Sequence, residues 1–264
     1  MTILDDILVK TRETIAREAS QVSSTELERR IVDAPPCLDF CGALAATDKV
    51  RVIAEVKRAS PSAGEIRADF QPVQIAEAYV AGGAACLSVL TDEPFFRGSL
   101  DYLRAIRQAV DVPLLRKDFI IDTYQLLQAR DAGADAVLLI AECLSAAELS
   151  RLEQQARELG MQTLIELYEP ENLDAVLATK TTMVGVNNRD LRTFHTDLLH
   201  TVRVADSIPN DRLIVGESGI RTHQDLATLQ EAGVKGVLVG ESLMRQDDVA
   251  AALLRLRGVA GTPL

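Results

Sequence analysis

Charged and polar side chains end several short apolar segments of this chain, and their types suit acid–base chemistry. Glu55 and Lys57 end one such segment (RVIAEVK), and Lys117 ends another (VPLLRK). At or near the ends of later apolar segments stand Glu166, Asn187, Arg189, Glu217 and Ser218. Carboxylates and amines that converge can donate and accept protons during a reaction. Since burying so many charges without a ligand is costly, we interpret the set as a substrate site rather than as ion pairs that seal a core.

Eight β-rich segments carry these residues and predict one parallel sheet. They lack internal polar alternation and are separated by segments with helical spacing, which is typical of strands buried on both faces. Eight strand–helix units predict a (β/α)8 barrel, the TIM barrel, whose chemistry lies at the C-terminal ends of its strands. A doubly wound open sheet is the alternative, disfavoured because no strand precedes a Gly-x-Gly-x-x-Gly fingerprint. The predicted strands are Arg51–Lys57, Ala84–Leu90, Val112–Lys117, Ala136–Ile140, Gln162–Leu167, Met183–Asn187, Arg212–Glu217 and Gly236–Val239.

Alternation along the first strand predicts which of its side chains face the barrel interior. Val52, Ala54 and Val56 share the apolar face and should pack against the helices. Glu55 and Lys57 share the other face and should therefore point into the barrel mouth.

Three glycines at regular offsets support the repeat of strand–helix units. Gly83, Gly133 and Gly233 each follow a segment with helical spacing and precede a strand. Glycine suits this place because the residue after a helix end often needs a positive φ angle. The offsets of 50 and 100 residues match pairs of strand–helix units.

The first 46 residues precede the first strand and predict a helical extension. Ile3–Glu18 has apolar positions at helical spacing, and Ser24 followed by Glu26 resembles a capped helix start. We expect residues 1–46 to pack on a barrel formed by residues 47–264, within one domain.

The composition excludes several classes of function. A net charge of −11 argues against nucleic acid, whose phosphates need Lys and Arg, but leaves a small anionic substrate open. The first eight residues lack the basic start and apolar run of a secretory signal, and no apolar run approaches a membrane span. The four cysteines and three histidines do not form the closely spaced pairs of a zinc site. We therefore expect a cytoplasmic protein without a metal.

Two nearly identical stretches follow predicted strands 7 and 8 and indicate a phosphate site. VGESG begins at Val215, and VGES begins at Val239. Barrel loops at this position commonly hold phosphate with backbone N–H groups, glycine permits close approach, and serine adds a hydroxyl. Two ordinary turns with capping serines are the alternative. The candidate phosphate-binding residues are Ser60, Gly219, Gly240, Glu241 and Ser242.

Six motifs, in order along the chain, resemble those of the indole-3-glycerol phosphate synthase family of tryptophan biosynthesis. The resemblance runs from the first residues nearly to the end. Arg58 stands where the family often has lysine, and by parity it points outward. The motifs are Ile53–Ser62 (IAEVKRASPS), Leu87–Phe96 (LSVLTDEPFF), Leu115–Asp122 (LRKDFIID), Val186–Leu191 (VNNRDL), Gly216–Ile220 (GESGI) and Val239–Arg245 (VGESLMR).

This resemblance implies the substrate 1-(2-carboxyphenylamino)-1-deoxyribulose 5-phosphate and no metal or organic cofactor. The products would be indole-3-glycerol phosphate, carbon dioxide and water. The aromatic carbon that bears the carboxylate attacks the ribulose carbonyl, and decarboxylation and dehydration follow the ring closure. The carbonyl oxygen gains negative charge and needs an acid, whereas loss of water needs an acid and a base.

The resemblance also implies roles for the charged residues. Lys117 would be the acid of ring closure and Glu166 the base of dehydration, with Glu55 and Lys57 nearby. Lys57 is alternatively a ligand of the phosphate or the carboxylate, and the group that protonates the departing hydroxyl stays open.

The remaining candidates would bind the substrate. Arg189 and Asn187 suit the anthranilate carboxylate, because arginine offers a planar fork of donors. Glu217 and Ser218 would line the ribulose. Glu241 would offer its backbone N–H to the phosphate and turn its carboxylate away.

Two further expectations concern the walls and the mouth of the site. Leu138, Phe95 and Leu238 are candidates for the apolar walls around the anthranilate ring, with core packing an equal alternative for each. The loop Arg58–Phe70 contains Gly64 and few apolar anchors, which predicts a mobile lid.

Three rival functions fit the same scaffold. Lys117 could form a Schiff base in an aldolase. Phosphoribosylanthranilate isomerase would keep the carboxylate carbon that the synthase releases. A barrel that only binds a phosphate ligand is disfavoured, because binding alone does not need both Lys117 and Glu166. We also expect a monomer and a stand-alone enzyme that is not fused to a second barrel.

Overall fold

The computed structural model of the protein describes residues 3–190 and 192–259, and its centre is a closed barrel of eight parallel strands. The strands are β1 Arg51–Val56, β2 Cys86–Leu90, β3 Leu114–Lys117, β4 Ala136–Ile140, β5 Gln162–Leu167, β6 Met183–Asn187, β7 Leu213–Glu217 and β8 Gly236–Val239. Each strand pairs with its neighbours in sequence, and β8 closes the ring against β1. The predicted barrel is confirmed, and the open sheet is wrong because Arg51 pairs with Gly236 across the closure.

Helices connect the strands and cover the outside of the barrel. The helices are α1 Ile3–Gln21, α2 Ser24–Ile31, α3 Phe40–Ala45, α4 Pro72–Ala81, α5 Glu93–Phe96, α6 Leu100–Ala109, α7 Thr123–Asp131, α8 Ala146–Glu158, α9 Leu173–Leu177, α10 Leu199–Ala205, α11 His223–Glu231, α12 Glu241–Met244 and α13 Val249–Leu256. Capping boxes at Asp122, Ser145 and Thr222 fix where α7, α8 and α11 begin, because each cap satisfies otherwise free backbone N–H groups.

The two faces of the strands belong to two apolar clusters. Val52, Ala54 and Val56 pack in the cluster between the strands and the helices, as the parity predicts. Ile53 belongs to the cluster inside the barrel. Glu55 shares the inward face with Ile53, so the same parity carries a carboxylate to the mouth.

The glycine repeat and most element bounds are confirmed. Gly83, Gly133 and Gly233 have φ angles of 81°, 86° and 82°. Observed ends of the strands differ from the predicted ends by at most two residues, as at β3, which begins at Leu114 rather than Val112. Pro113 has no N–H to donate to the ladder, and its carbonyl accepts from Leu87 instead.

The N-terminal helices occupy both ends of the barrel. At the N-terminal ends of the strands, Phe40 and Leu44 of α3 are fully buried in the interior cluster. At the other end, Ile7 of α1 is buried in the same cluster. The predicted cap at Ser24 is wrong, because the hydroxyl of Ser23 accepts from the N–H of Glu26 and Ser24 is the first helical residue.

Some expectations concern positions that the structure does not describe. Residues 1–2, 191 and 260–264 lie outside the described residues. They include the start of the predicted extension, the end of the predicted barrel and the last residue of VNNRDL. Across the described ranges, no helix combines the length and the apolar character that crossing a bilayer requires.

Candidate active site

A cavity of about 590 Å³ opens at the C-terminal ends of the strands. The parallel direction of the strands explains why the polar side chains converge, because the C-terminal ends of all eight strands meet at this face. All the catalytic, substrate-binding and phosphate-binding residues predicted from the sequence line it, and these are Glu55, Lys57, Ser60, Lys117, Glu166, Asn187, Arg189, Glu217, Ser218, Gly219, Gly240, Glu241 and Ser242.

Lys117 lies between two buried carboxylates at the base of the cavity. Its Nζ is 3.2 Å from Glu166 Oε2 and 3.2 Å from Glu217 Oε2. The two glutamates are 4% and 2% exposed, whereas Lys117 is 19% exposed and lies nearest the cavity. Lys117 ends β3 and Glu217 ends β7, so opposite sides of the barrel contribute to one cluster.

The three charges control one another's protonation. Burial works to lower the pKa of Lys117, but the carboxylates of Glu166, Glu217 and Glu55 outweigh it and hold that pKa above its usual value. Burial raises the pKa of Glu217 to about 8. The positive charge of Lys117 acts to lower this pKa, and the negative charge of Glu166 acts to raise it. Burial also opposes ionisation of Glu166, yet Lys117 and hydrogen bonds from Glu217 and Asn187 lower its pKa. Of the two carboxyl groups, Glu166 is therefore the one that ionises more readily, and Glu217 is the one that keeps a proton more readily.

Asn187 fixes the orientation of Glu166. Its side-chain N–H donates to Glu166 Oε1 at 2.9 Å, and its carbonyl oxygen accepts from the backbone N–H of Arg189 at 3.0 Å. Both ends of the amide are therefore engaged within the protein. We expected Asn187 to bind the carboxylate of the substrate. In this geometry its side chain instead orients the carboxylate of Glu166.

Glu55 and Lys57 form a second ion pair on the inward face of β1. Lys57 Nζ lies 2.5 Å from Glu55 Oε1. Gly240 leaves the space for this carboxylate, because a Cβ there would lie 2.1 Å from Glu55 Oε1. Gly185 does the same for Glu217, whose Oε1 would be 2.4 Å from an added Cβ. Two glycines thus shape the places of two buried glutamates.

Arg189 spans the mouth of the cavity. Its Nε donates to Thr196 Oγ1 at 3.2 Å, and one terminal nitrogen donates to Ser62 Oγ at 3.2 Å. The other terminal nitrogen lies 3.7 Å from the carboxylate of Glu241. The guanidinium therefore connects the loop after β1 with the loop after β6 and the start of α12.

The loops after β7 and β8 form the adjoining wall. Ser218 and Gly219 have positive φ angles of 63° and 77°, and Gly240 is the residue before the first turn of α12. The Glu241 carboxylate lies 2.9 Å from Arg245 and 3.7 Å from Arg189. The Ser242 hydroxyl, which the sequence suggested as a donor to phosphate, donates to the carbonyl of Ile220 at 2.9 Å. A helix leaves its first backbone N–H groups without partners in the helix, so those at the start of α12 are the candidate donors there.

Ser60 stands on a short antiparallel pair at the other side of the mouth. Ala59–Ser60 pairs with Gly64–Glu65 within the predicted lid. The Ser60 hydroxyl accepts from the N–H of Ala63 at 3.2 Å, which leaves its own O–H group able to donate.

Apolar walls complete the cavity, with one correction to the expected set. Leu138 and Leu238 line it, but Phe95 does not, and Phe96 takes its place. Asp92 caps α5 by accepting from the N–H groups of Phe95 and Phe96, and successive residues on a helix point about 100° apart, so only one of them faces the cavity. Phe96 lies 6.1 Å from the ring of Phe119.

Several residues that line the cavity were not predicted from the sequence. The apolar residues of the first turns of α1 cover the mouth, but helical spacing does not show which end of the barrel a helix crosses. The missed lining residues include Ile3, Leu4, Ile7, Phe96, Phe119 and Phe194. In the described ranges, no three His, Cys, Asp or Glu side chains are grouped to hold a metal ion.

The comparisons with known proteins agree with this geometry. A family model described as indole-3-glycerol phosphate synthase matches residues 4–256. The chain is 69% identical over 252 residues to the indole-3-glycerol phosphate synthase of Rhodopirellula baltica, covering 96% of this chain and 97% of that protein. The chain belongs to the indole-3-glycerol phosphate synthase family. The protein of that name from Acidithiobacillus ferrooxidans is 46% identical over 257 residues, covering 96% of this chain and 98% of its own.

Solved structures confirm the barrel fold of this indole-3-glycerol phosphate synthase family member. A thiamine phosphate pyrophosphorylase from Pyrococcus furiosus covers 80% of this chain and 95% of its own, with a TM-score of 0.61 and 16% identity. A mutant tryptophan synthase alpha-subunit from Pyrococcus furiosus covers 79% of this chain and 98% of its own, with a TM-score of 0.60 and 16% identity. At this level of identity, the likeness shows the fold alone.

Membership of the indole-3-glycerol phosphate synthase family establishes the reaction class. The chain is a carboxy-lyase of tryptophan biosynthesis that acts on a small phosphorylated substrate. The resemblance drawn from the six motifs is thereby confirmed, and the aldolase, isomerase and purely binding alternatives are set aside.

Proposed function

We propose that this cavity closes the indole ring of 1-(2-carboxyphenylamino)-1-deoxyribulose 5-phosphate, with Lys117 and Glu166 as its acid and base. The observation that carries the proposal is the position of Lys117 between two buried carboxylates at the base of the cavity. Apolar walls on one side suit the aromatic ring, and backbone N–H groups on the other side suit the phosphate.

Lys117 is the acid of ring closure. The surrounding carboxylates keep its pKa high, so it carries a proton at neutral pH and meets the developing charge of the carbonyl oxygen. It is also the most exposed member of the cluster, so its ammonium is the group most open to the cavity.

Glu166 is the base of the dehydration. Its lowered pKa keeps it ionised, and the Asn187 amide fixes one oxygen, so the other is held toward Lys117. Glu55 and Lys57 form a second acid–base pair on β1 that reaches the same space. Lys57 serves as a proton donor of the later steps or as a ligand of the substrate.

The two ends of the substrate bind to different groups around the mouth above Lys117. Arg189 meets the anthranilate carboxylate with its planar fork when it exchanges its contacts with Ser62 and Thr196. Asn187 supports this side by holding the backbone of Arg189. Glu217 and Ser218 line the ribulose.

The phosphate binds between the loops after β1, β7 and β8. Ser60 supplies a hydroxyl, while Glu241 supplies its backbone N–H and keeps its carboxylate on Arg245. Gly219 and Gly240 let the backbone approach the phosphate closely. The remaining contact is the backbone N–H of Ser242.

The product itself provides the test of the proposed function. The chain contains no tryptophan, so the indole fluorescence of the product should rise against a background from tyrosine alone. Purified protein with the carboxyphenylamino substrate should give one molecule each of indole-3-glycerol phosphate and carbon dioxide per turnover. A lysine adduct trapped by borohydride, with no indole formed, would overturn the proposal in favour of aldolase chemistry.

The protonation of Glu217 predicts the alkaline limb of the pH profile. Its pKa of about 8 means that it ionises above that pH, which gives Lys117 another full negative neighbour and makes it a weaker acid. The kcat should therefore fall as pH rises through this value. Glu217→Gln keeps the neutral state, so we expect the fall to move to higher pH when kcat is measured from about pH 6 to about pH 10. An unchanged alkaline limb would contradict this role.

The glycine beside Glu55 predicts a steric effect on turnover. Gly240→Ala places a methyl group in the space of the Glu55 carboxylate, which must then move away from Lys57. We expect kcat to fall roughly tenfold or more with the fold retained in circular dichroism. The matched control is Gly240→Ala in a Glu55→Ala background, where the methyl group meets no carboxylate and should cost little more. Equal losses in both backgrounds would contradict the steric argument.

The loop 58–70 is proposed to open and close over the substrate. Its contacts with the rest of the chain include exposed polar pairs, such as Glu65 with Arg97 at 3.1 Å and Ser62 with Arg189 at 3.2 Å. We expect its amides to exchange hydrogen quickly in the free protein and slowly with a reduced substrate analogue, while those of β3 stay protected in both. Equal protection of the loop in both states would contradict a lid.

The protein is further proposed to act as a cytoplasmic monomer. The cavity is lined by residues of one chain, and the packing of α1 to α3 on the barrel supports the proposal of a single domain. A molecular mass near 28.7 kDa in light scattering would support the monomer.

A further inference from the structure

A buried ion pair flanks Lys117 in the chain. The Arg116 guanidinium lies 2.9 Å from Asp118 Oδ2, and the two side chains are only 4% and 8% exposed. A contact between residues two apart on an extended chain puts both on one side, while Lys117 points to the other side, into the barrel. The pair therefore holds the strand end from behind the lysine.

The pair also joins the ends of two neighbouring strands. Thr91, which directly follows β2, accepts from Arg116 Nε at 3.1 Å and donates to Asp118 Oδ2 at 2.5 Å. The other oxygen of Asp118 accepts from the N–H of Phe119 at 2.9 Å. Both carboxylate oxygens and the guanidinium are thus engaged, which restricts the direction of the chain on either side of Lys117.

The same guanidinium reaches α7 directly and α1 through one further side chain. It donates to the carbonyl of Gln125 at 2.6 Å and lies 3.4 Å from Gln128 Oε1, both on α7. The amide of Gln128 in turn donates to Glu18 of α1 at 2.7 Å. Since the first turns of α1 cover the cavity, one network connects the mouth helix with the strand that carries the lysine.

Burial of such a pair needs an explanation, because an apolar pair of similar size is often equally or more stabilising. Lys117 supplies one. Its ammonium must stay within hydrogen-bond distance of Glu166 and Glu217 at once, and a shift of about 1 Å at such a group can cost roughly 100-fold in rate.

We propose that Arg116 and Asp118 are positioning residues that fix the end of β3, so that the Lys117 ammonium stays between Glu166 and Glu217. They act through Lys117: Asp118 borders the cavity, but both of its carboxylate oxygens are engaged by Arg116, Thr91 and the N–H of Phe119. The inference rests on the role proposed for Lys117.

The test removes both charges together. Arg116→Met with Asp118→Asn avoids leaving one buried charge without its partner, which alone can unfold a protein. We expect kcat to fall roughly 10- to 100-fold, KM to change little, and the pH profile of kcat to shift, because Lys117 no longer sits at fixed distances from its carboxylates. Arg116→Lys keeps the charge but loses the fork, and it should recover part of kcat.

A second pair at the other end of β3 provides the matched control. Arg107 lies 3.0 Å from Asp135, whose carboxylate accepts from the N–H of Leu114 at 2.7 Å. Arg107→Met with Asp135→Asn should lower the melting temperature and leave kcat and its pH profile unchanged.

A double-mutant cycle with Lys117→Ala decides the mechanism. If the pair acts through Lys117, its removal should have no further effect on the residual rate of Lys117→Ala. A lower melting temperature with unchanged kcat and pH profile would overturn the inference alone, while Lys117→Ala stayed inactive. Near-normal turnover of Lys117→Ala would instead overturn both the inference and the acid role on which it rests.

Discussion

Replacing Lys117 with alanine is expected to abolish ring closure while leaving the binding of a reduced substrate analogue largely intact. The carbonyl oxygen then gains charge without a proton donor, and loss of a positioned acid costs roughly 10²- to 10⁴-fold in rate. Binding survives because the proposed carboxylate and phosphate contacts lie on other loops. Indole formation measures the rate, and calorimetric titration with the analogue measures binding.

The variant needs a control for the loss of a lysine and for the carboxylates left behind. Lys180 is exposed on the turn before β6, at the opposite end of the barrel, and Lys180→Ala should have normal turnover. Lys117→Met keeps the volume and should be as inactive as the alanine variant. Near-normal turnover of either Lys117 variant would remove it from the chemistry.

Replacing Glu166 with glutamine is expected to lower kcat strongly without changing the circular dichroism spectrum. Glutamine has the same shape but cannot take a proton. If its oxygen accepts from Asn187, as the carboxylate does at 2.9 Å, its NH2 group faces the Lys117 ammonium. We expect a loss of roughly 10²- to 10⁴-fold, measured by indole formation.

A buried glutamate outside the cavity serves as the comparison. Glu153 on α8 is buried and lies 3.4 Å from Arg157, so Glu153→Gln removes a buried carboxylate charge at a distance from the chemistry. Its kcat should equal that of the unaltered enzyme. An unaltered kcat in Glu166→Gln would show that Glu166 is not the base.

The sequence predicted the site well wherever strand parity decides the direction of a side chain. Glu55 shares the inward face of β1 with Ile53, and Lys117 and Glu217 end their strands, so alternation and the barrel topology brought them to one cavity. The repeat of Gly83, Gly133 and Gly233 supported the series of strand–helix units for another local reason. Each glycine marks a helix end that needs a positive φ angle.

Other features depend on contacts distant in sequence, and these were missed. Helical spacing identified α1 but not the end of the barrel that it crosses, so Ile3 and Ile7 were absent from the predicted walls. Phe95 was chosen over Phe96 because the rotation of the short α5 depends on its cap at Asp92. The Ser242 hydroxyl was assigned to phosphate because the carbonyl of Ile220, on another loop, was not visible as its partner.

The most direct test of the separate roles of Lys117 and Glu166 is a single-turnover experiment in which carbon dioxide and indole-3-glycerol phosphate are measured together. If Lys117 serves ring closure and Glu166 serves dehydration, Glu166→Gln should release carbon dioxide well before indole forms, and Lys117→Ala should release neither. Carbon dioxide and indole slowed equally in Glu166→Gln would contradict this assignment.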